Sequence, residues 1–153
     1  MTQVPLETDL DRLSRSPLSE EVTFLIARVS SLANAKANAS LRELGLKVRS
    51  YSVLNLAASD LNPTQRELAH MLSLDPSQIV ALVDELENAG LILREQDPRD
   101  RRQKVITATV EGEALLAEAR ERTQAAQAES LAPLTPEEQL AFRETMLRLA
   151  FNE

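Results

Sequence analysis

Basic side chains are concentrated in one short stretch of a chain that is otherwise acidic. The formal net charge of the 153 residues is −7, and residues 111–153 hold nine acids against four bases. Residues 94–104, by contrast, hold five bases, namely Arg94, Arg99, Arg101, Arg102 and Lys104. A local basic cluster can neutralise nucleic-acid phosphates even on an acidic protein. This stretch therefore predicts a DNA contact whose affinity falls strongly with salt.

The same stretch predicts a specific pairing of one arginine with one carboxylate. Residues two apart on an extended strand share a face, so Asp100 and Arg102 would lie side by side. A carboxylate there would hold the guanidinium in one orientation, which suits an arginine inserted into a narrow minor groove. The alternative is a solvated turn rich in ion pairs. We favour the DNA interpretation because a helix-turn-helix pattern comes directly before this turn.

Ser77 and Gln78 form a second candidate contact, at the start of a predicted helix. Glutamine can pair bidentately with adenine, and serine reaches bases or phosphates. The same residue types also simply begin helices, and the sequence leaves both interpretations open.

Enzymatic chemistry has little support in the sequence. His70 is the only histidine, and there is no cysteine. A nucleophile with an adjacent base is therefore not evident, and thiolate metal sites are excluded. We predict no catalytic residue, no metal site and no cofactor.

The elements that would position these residues form a helix-turn-helix followed by a hairpin. Asn62 is predicted as an N-cap, with Pro63 at the first helical position and Gln65 completing a capping box. The same chemistry recurs at Asp75-Pro-Ser-Gln78 and predicts a recognition helix over residues 76–89 that ends at Gly90. Two β-prone runs then predict a wing over residues 91–108.

Helices are predicted on both sides of this module. One begins at Pro17, with or without an interruption, and runs to Leu44 before a left-handed Gly45, and a shorter one covers residues 48–58. Thr109 caps a long helix over residues 110–131, and the Thr135–Glu138 capping box starts the last helix. Residues 1–16 lack periodicity and are predicted to be a loose arm. The predicted fold class is mainly α with a small β-hairpin wing.

The apolar pattern of the first and last helices indicates a partner. The first helix carries one stripe that should be buried: Val22, Leu25, Ile26, Val29, Leu32 and Ala33. Together with the last helix, this is more apolar surface than one small winged module can cover. We therefore predict a homodimer.

Taken together, these motifs resemble the MarR (multiple antibiotic resistance) family of transcriptional regulators. The similarity lies in Gln65–Glu95, which includes Leu68-Ala69 and a recognition helix ending Leu86-Glu-Asn-Ala-Gly-Leu91. It continues through the wing motif Asp97-Pro-Arg-Asp-Arg-Arg102 and the exit motif Thr109-Val-Glu-Gly112. The chain departs from the family at Val80-Ala81, where many members have Thr-Arg, and at Ala108-Thr109, where the wing often ends Leu-Thr.

The resemblance implies one domain over residues 1–153, with a winged module at 47–109 and dimerisation helices at 17–45 and 110–153. It implies a repressor that binds a pseudo-palindromic operator in double-stranded DNA. The implied contacts are Thr64, Gln65, Ser77, Gln78, Arg94, Arg99, Asp100, Arg101, Arg102 and Lys104. It also suggests a small aromatic or phenolic effector near Tyr51, although Tyr51 as ordinary core is the more economical interpretation.

The predicted setting is the cytoplasm. No apolar run approaches membrane-spanning length, and the polar N-terminus does not resemble a signal peptide. The rival to a DNA-binding regulator is a winged helix used as a protein-interaction or architectural module, which the low pI and Ala81 keep open.

Overall fold

The computed structural model describes residues 9–152, which form mainly α-helices and one two-stranded antiparallel sheet. The elements are, in chain order, α1 (Asp9–Leu13), α2 (Val22–Leu41), α3 (Val48–Ala57), α4 (Gln65–Leu72), α5 (Pro76–Asn88), β1 (Ile92–Gln96), β2 (Lys104–Ala108), α6 (Val110–Leu131) and α7 (Pro136–Ala150), with short 3₁₀ turns at Pro17–Glu20 and Arg42–Leu44. The predicted fold class, mainly α with a β-hairpin, is confirmed.

The first long helix is interrupted, which was one of the two predicted forms. Glu21 has an extended backbone between the turn at Pro17–Glu20 and α2. Gly45 ends the segment with φ of 69°, in the left-handed region that glycine adopts without steric cost. The prediction of a loose arm is wrong for Asp9–Leu13, which forms a short helix with acids in its first turn. Residues 1–8 of that arm lie outside the described residues.

The first helix of the helix-turn-helix begins later than predicted, at Gln65. Its N-cap is Thr64, whose hydroxyl accepts from the Glu67 N–H at 3.2 Å, while the Glu67 carboxylate accepts from the Thr64 N–H at 2.7 Å. The prediction that Asn62 and Pro63 start this helix is therefore wrong. Pro63 instead bonds to the wing, since its carbonyl accepts from the Ile106 N–H of β2 at 2.8 Å.

The second helix of the motif begins and ends as predicted. The Asp75 N–H donates to Gln78 Oε1 at 3.1 Å, one half of a reciprocal capping box at the start of α5. Ser73 adopts a left-handed conformation (φ 51°) in the tight turn between α4 and α5, and Gly90 does so after α5 (φ 73°). This short connection fixes α5 against α4.

The wing is an antiparallel hairpin attached to the helices at its base. Its register pairs Ile92 with Ala108 and Gln96 with Lys104. The Thr109 N–H donates to the Leu91 carbonyl at 3.0 Å, and the Thr109 hydroxyl donates to the Gly90 carbonyl at 2.7 Å. The same hydroxyl caps α6 by accepting from the Gly112 N–H at 3.0 Å.

A single cluster of apolar side chains joins these elements. It comprises Leu41, Leu46, Val53, Leu54, Ala57, Leu68, Ile79, Val83, Leu86, Ile92, Ile106, Leu116 and Ala119. Two large apolar side chains of these helices, Met71 and Val80, do not join the cluster and are 51% and 41% exposed. Both lie on the outward side of a helix whose inner side is already filled by Leu68 or Ile79.

The stripe predicted to be buried on α2 is exposed in the single chain. Val22, Leu25, Ile26, Val29 and Leu32 are each between 42% and 68% exposed. Large apolar side chains of α7 are exposed as well, including Leu140, Leu147 and Leu149. Among residues 9–152, no helix is long and apolar enough to cross a membrane.

Candidate nucleic-acid interface

The outward face of α5 is polar at its start and acidic further along. Ser77 and Gln78 are exposed in the first turn. Ala81 and Asp84 follow Ser77 by four and seven residues, which places them on the same side of the helix. This face carries no basic side chain, so α5 contributes hydrogen-bonding groups but no positive charge.

Gln78 has a structural role in addition to its predicted one. Its Oε1 accepts from the Asp75 N–H, and the side chain is exposed, so its Nε2 group is accessible from solvent. In this conformation Gln78 can donate to a base or phosphate, whereas a bidentate contact with adenine requires release of the cap. The two interpretations left open by the sequence are therefore compatible.

The loop at the tip of the wing is organised around Asp97, which belongs to the wing motif but is not among the predicted DNA contacts. Its side chain is buried, with only 5% exposed. Oδ1 accepts from the Arg99 N–H at 2.8 Å and from Arg99 Nε at 3.1 Å, and Oδ2 accepts from the other arm of the guanidinium at 3.1 Å. These bonds lower the pKa of Asp97. Aspartate directly before proline in a turn is the signal that could have identified it.

Asp100 also organises the loop, but not by the predicted contact. Residues 97–103 form a turn rather than extended strand, so the assumption that Asp100 and Arg102 share a strand face is wrong. Asp100 Oδ1 accepts from the backbone N–H of Arg102 at 3.0 Å, and Oδ2 lies 3.4 Å from the side-chain nitrogen Nε2 of Gln103. The side chains of Arg101, Arg102 and Lys104 are exposed.

Arg94 differs most from its predicted role as a phosphate contact, because its guanidinium is held by the protein itself. Nε donates to Gln65 Oε1 at 2.8 Å, and the two terminal nitrogens form ion pairs with Asp84 and Glu87. Burial alone would lower the Arg94 pKa, but the hydrogen bonds to these two carboxylates outweigh that effect and raise it. Gln65, another predicted DNA contact, is thus brought together with Arg94.

Thr64 is likewise engaged within its own helix. Its hydroxyl lies 2.9 Å from the Glu67 carboxylate in addition to accepting the Glu67 N–H. The backbone and hydroxyl of Thr64 together lower the pKa of Glu67. The start of α4 is therefore rigidly capped.

Tyr51 lies on the wall of a cleft of about 980 Å³. The cleft is formed by residues of α2, α3, α6 and α7, including Leu32, Val48, Thr123, Phe142 and Met146. The Tyr51 hydroxyl is 3.2 Å from Asn55 Nδ2 and 3.3 Å from Thr123 Oγ1. Tyr51 is half-buried, so it both packs against the core and presents a polar atom at the cleft. Among residues 9–152, no cluster of His, Cys, Asp or Glu could hold a metal ion.

Comparison with known proteins gives consistent similarities. The family model described as MarR family matches residues 46–104. A MarR-family transcriptional regulator from Rhodococcus sp. RHA1 is 40% identical, with 90% of this chain and 99% of that chain covered and a TM-score of 0.83. CouR from Rhodococcus jostii RHA1, solved bound to p-coumaroyl-CoA, is 42% identical, with 90% and 97% covered and a TM-score of 0.83.

The HTH-type transcriptional repressor Rv2887 of Mycobacterium tuberculosis is more distant. It is 29% identical over 126 residues, which span 82% of this chain and 91% of the repressor. Solved structures show that protein in complex with DNA and with salicylic acid, with TM-scores of 0.69 and 0.71 to this chain, of which 84% is covered.

Proposed function

The chain belongs to the MarR family of transcriptional regulators, and on that premise we propose that it is a repressor that binds a pseudo-palindromic operator as a homodimer and leaves it when a small ligand binds. The observation that carries this proposal is the pairing of an exposed helix start, Ser77-Gln78, with an exposed and internally ordered arginine loop. Members of the family are regulators and not enzymes, in agreement with the prediction from sequence.

The proposed DNA contacts divide by groove. Ser77 and Gln78 enter the major groove, where Gln78 Nε2 donates to a base edge or phosphate. Arg102 enters the minor groove, oriented through its backbone by Asp100. Arg99, Arg101 and Lys104 face the adjacent phosphates, and the capped start of α4 at Thr64 and Gln65 lies along the DNA backbone. Rv2887, whose fold this chain shares, was solved in complex with DNA, which supports DNA as the partner.

The exposed apolar faces of α2 and α7 support the homodimer. Each face carries several large side chains that a single chain leaves in water. Removal of apolar area from water is a main favourable contribution to protein association, so two such faces favour a second copy of the chain. We therefore propose that residues 17–45 and 110–153 form the dimer and that residues 47–109 form the DNA-binding module. A dimer also matches the twofold symmetry of a palindromic operator.

The cleft beside Tyr51 is the proposed effector site. Its walls are mainly apolar, with the Tyr51 hydroxyl and Thr123 as polar groups, a composition suited to an aromatic molecule with a polar substituent. CouR was solved with an aromatic acyl-CoA and Rv2887 with salicylic acid, so the proposed class is an aromatic acid or its thioester. Because DNA is the partner, we place the protein in the cytoplasm.

A salt titration tests the DNA-binding proposal. A duplex is first selected from a random pool, and its affinity is compared with that of an arbitrary duplex by fluorescence anisotropy over a range of salt concentrations. We expect specific binding whose log K falls steeply with log salt. Arg102→Ala should weaken binding to the selected duplex by roughly 1–3 kcal/mol, the scale of a specific contact. Failure to bind any duplex at low salt would favour a protein-interaction module instead.

Release by ligand has its own test. Aromatic acids and their CoA thioesters are added to the protein–DNA complex, with free CoA as the control. Loss of anisotropy with one of these compounds, and a weaker response of Tyr51→Phe, supports the proposed site. If all of these compounds leave the complex intact, the assignment of this ligand class is wrong, whereas the proposal of DNA binding still stands.

A further inference from the structure

Arg94 joins three elements of the winged module through one guanidinium. It lies on β1, and its three side-chain nitrogens bond to Gln65 on α4 and to Asp84 and Glu87 on α5. Its backbone N–H also donates to Glu87 Oε1 at 3.1 Å. Only 19% of the side chain is exposed. The wing is thereby fastened to both helices of the helix-turn-helix at its base.

The same contacts neutralise acids on the helix proposed to enter the major groove. Asp84 is two turns after Ser77 and therefore faces the same side of α5. Its side chain is 53% exposed, and that of Glu87 is 34% exposed. Without a cation beside them, two carboxylates would approach DNA phosphates, an unfavourable interaction at short range. Arg94 supplies that cation.

Only arginine satisfies this set of partners. The guanidinium is planar and donates in several fixed directions, whereas a lysine ammonium is a compact point charge. Glu87 is equally specific as an acceptor, because one oxygen accepts from the Arg94 backbone and the other from its side chain. A glutamine at position 87 would have to present an NH₂ group to one of these two donors.

We propose that Arg94 is a positioning residue that sets the wing relative to α5 and neutralises Asp84 and Glu87, rather than a residue that binds DNA phosphate. This inference rests on the proposed function, since it assigns how two parts of the DNA-binding surface are held in register. The groove contact of Arg102 and the helix contact of Ser77 can be made together only if the wing keeps its orientation.

Glu87→Gln distinguishes a phosphate-binding role of Arg94 from a positioning role, because the two roles predict opposite changes in affinity for the selected duplex. If Arg94 bound phosphate, removal of its competing carboxylate would free it and strengthen binding to the selected duplex. If Arg94 is a positioning residue, the same substitution weakens that binding by about tenfold, the scale of coupling within one ion-pair network, although it removes a negative charge. The matched control is Glu85→Gln, an exposed acid on the same helix, which should bind equally well or slightly better.

Arg94→Lys provides a second variant that keeps the charge. We expect it to weaken binding to the selected duplex about as much as Glu87→Gln, with little change in the slope of log K against log salt. Lys104→Gln, at an exposed wing cation, should instead reduce that slope by about one. Thermal unfolding followed by circular dichroism verifies that each variant is folded.

The outcomes distinguish the inference from the proposed function. Stronger binding by Glu87→Gln, or near-normal binding by Arg94→Lys, overturns the positioning role while the unsubstituted protein still binds DNA. If the unsubstituted protein binds no duplex, the proposed function fails, and the inference fails with it.

Discussion

At the scale of single residues, two aspartates determine the conformation of the wing loop. Asp97 is buried and accepts three hydrogen bonds from Arg99, and Asp100 accepts from the Arg102 N–H. Each carboxylate replaces a hydrogen-bond partner that an exposed turn would otherwise take from water. The loop is therefore ordered before DNA arrives, which reduces the entropy that binding must overcome.

Low pH and substitution of Asp97 should both loosen this loop, because each removes the Asp97 carboxylate. The pKa of Asp97 is depressed below its ordinary 3.8, and the largest cause is the hydrogen bonding from the Arg99 side chain. A group with a depressed folded-state pKa contributes stability that is present above the unfolded pKa and lost as the pH falls through the folded value. Amide hydrogen exchange in residues 99–103, corrected for intrinsic rates, should therefore be constant from about pH 5 to 8 and rise only below about pH 4.

Asp97→Asn should show fast exchange in these residues throughout that pH range and should weaken binding to the selected duplex. An amide at this position offers an NH₂ group to the guanidinium donors. Glu111→Gln, at an exposed acid outside the wing, is the control and should leave both measurements unchanged. Slow exchange in Asp97→Asn at neutral pH would contradict this account of the loop.

Residue types were sufficient to locate the basic loop but not to pair its charges. Spacing placed Asp100 beside Arg102 on the assumption of an extended strand, whereas the chain turns at residues 97–103. Arg94 was grouped with the other wing cations because sequence gives no measure of its burial. Its partners Asp84 and Glu87 are seven or more positions away, and only the fold brings them within reach.

At the scale of elements, the junction of wing and α6 depends on a glycine. A Cβ added at Gly112 would lie 2.0 Å from the Leu91 carbonyl oxygen and 2.9 Å from its carbon. That carbonyl also accepts from the Thr109 N–H, so it cannot move without loss of the bond. The exit motif Thr109–Gly112 thus combines a helix cap with a close approach of two backbones.

Gly112→Ala should therefore destabilise the protein, although alanine is the better helix former. Helix propensity alone would favour alanine by about 1 kcal/mol. The contact with backbone requires displacement of α6 or of the wing base, and overpacking of this kind costs roughly 1–3 kcal/mol net. Urea denaturation should show that loss in the free energy of unfolding. Glu113→Ala, at the exposed next position, should stay within about 0.5 kcal/mol, and equal stability of the two variants would refute the clash.

Element boundaries were predictable where one local signal dominated. The capping boxes at Asp75 and Thr135 and the cap at Thr109 start helices at the predicted positions. The start of α4 was misplaced because two sets of polar residues lie close together. The Thr64–Glu67 box is the one formed, while Pro63 bonds to β2, a tertiary contact that no local pattern reveals.

At the scale of the whole molecule, the apolar faces of α2 and α7 have no cover within the single chain. The sequence predicted the periodicity of the α2 stripe correctly, and the amount of apolar surface, rather than the periodicity, indicated a second copy of the chain as its cover. Periodicity identifies which residues share a face, and it does not say whether that face meets the same chain or another. The exposed leucines of α2 and α7 are consistent with the second case.

Substitutions that introduce negative charge on the apolar faces of α2 and α7 should separate the dimer into single chains. Leu25 on α2 and Leu149 on α7 are 42% and 65% exposed, and neither lines the Tyr51 cleft. In a dimer each substitution by glutamate occurs twice, and burial of the exposed part of each leucine contributes about 1 kcal/mol or more. Sedimentation equilibrium should give about twice the chain mass of 16.9 kDa for the unsubstituted protein and the single-chain mass for Leu25→Glu with Leu149→Glu.

The matched control for this double variant is Val110→Glu. Val110 is 80% exposed at the start of α6, beside the base of the wing rather than on the apolar faces of α2 and α7, and a carboxylate there suits the helix dipole, so this variant should remain dimeric. The double variant, as single chains, should bind the selected duplex roughly 10²–10⁴-fold more weakly. The two half-sites of the duplex are then no longer bound by one linked pair of DNA-binding modules. A dimer that survives both glutamates, or tight operator binding by single chains, would show that α2 and α7 do not hold the two modules together.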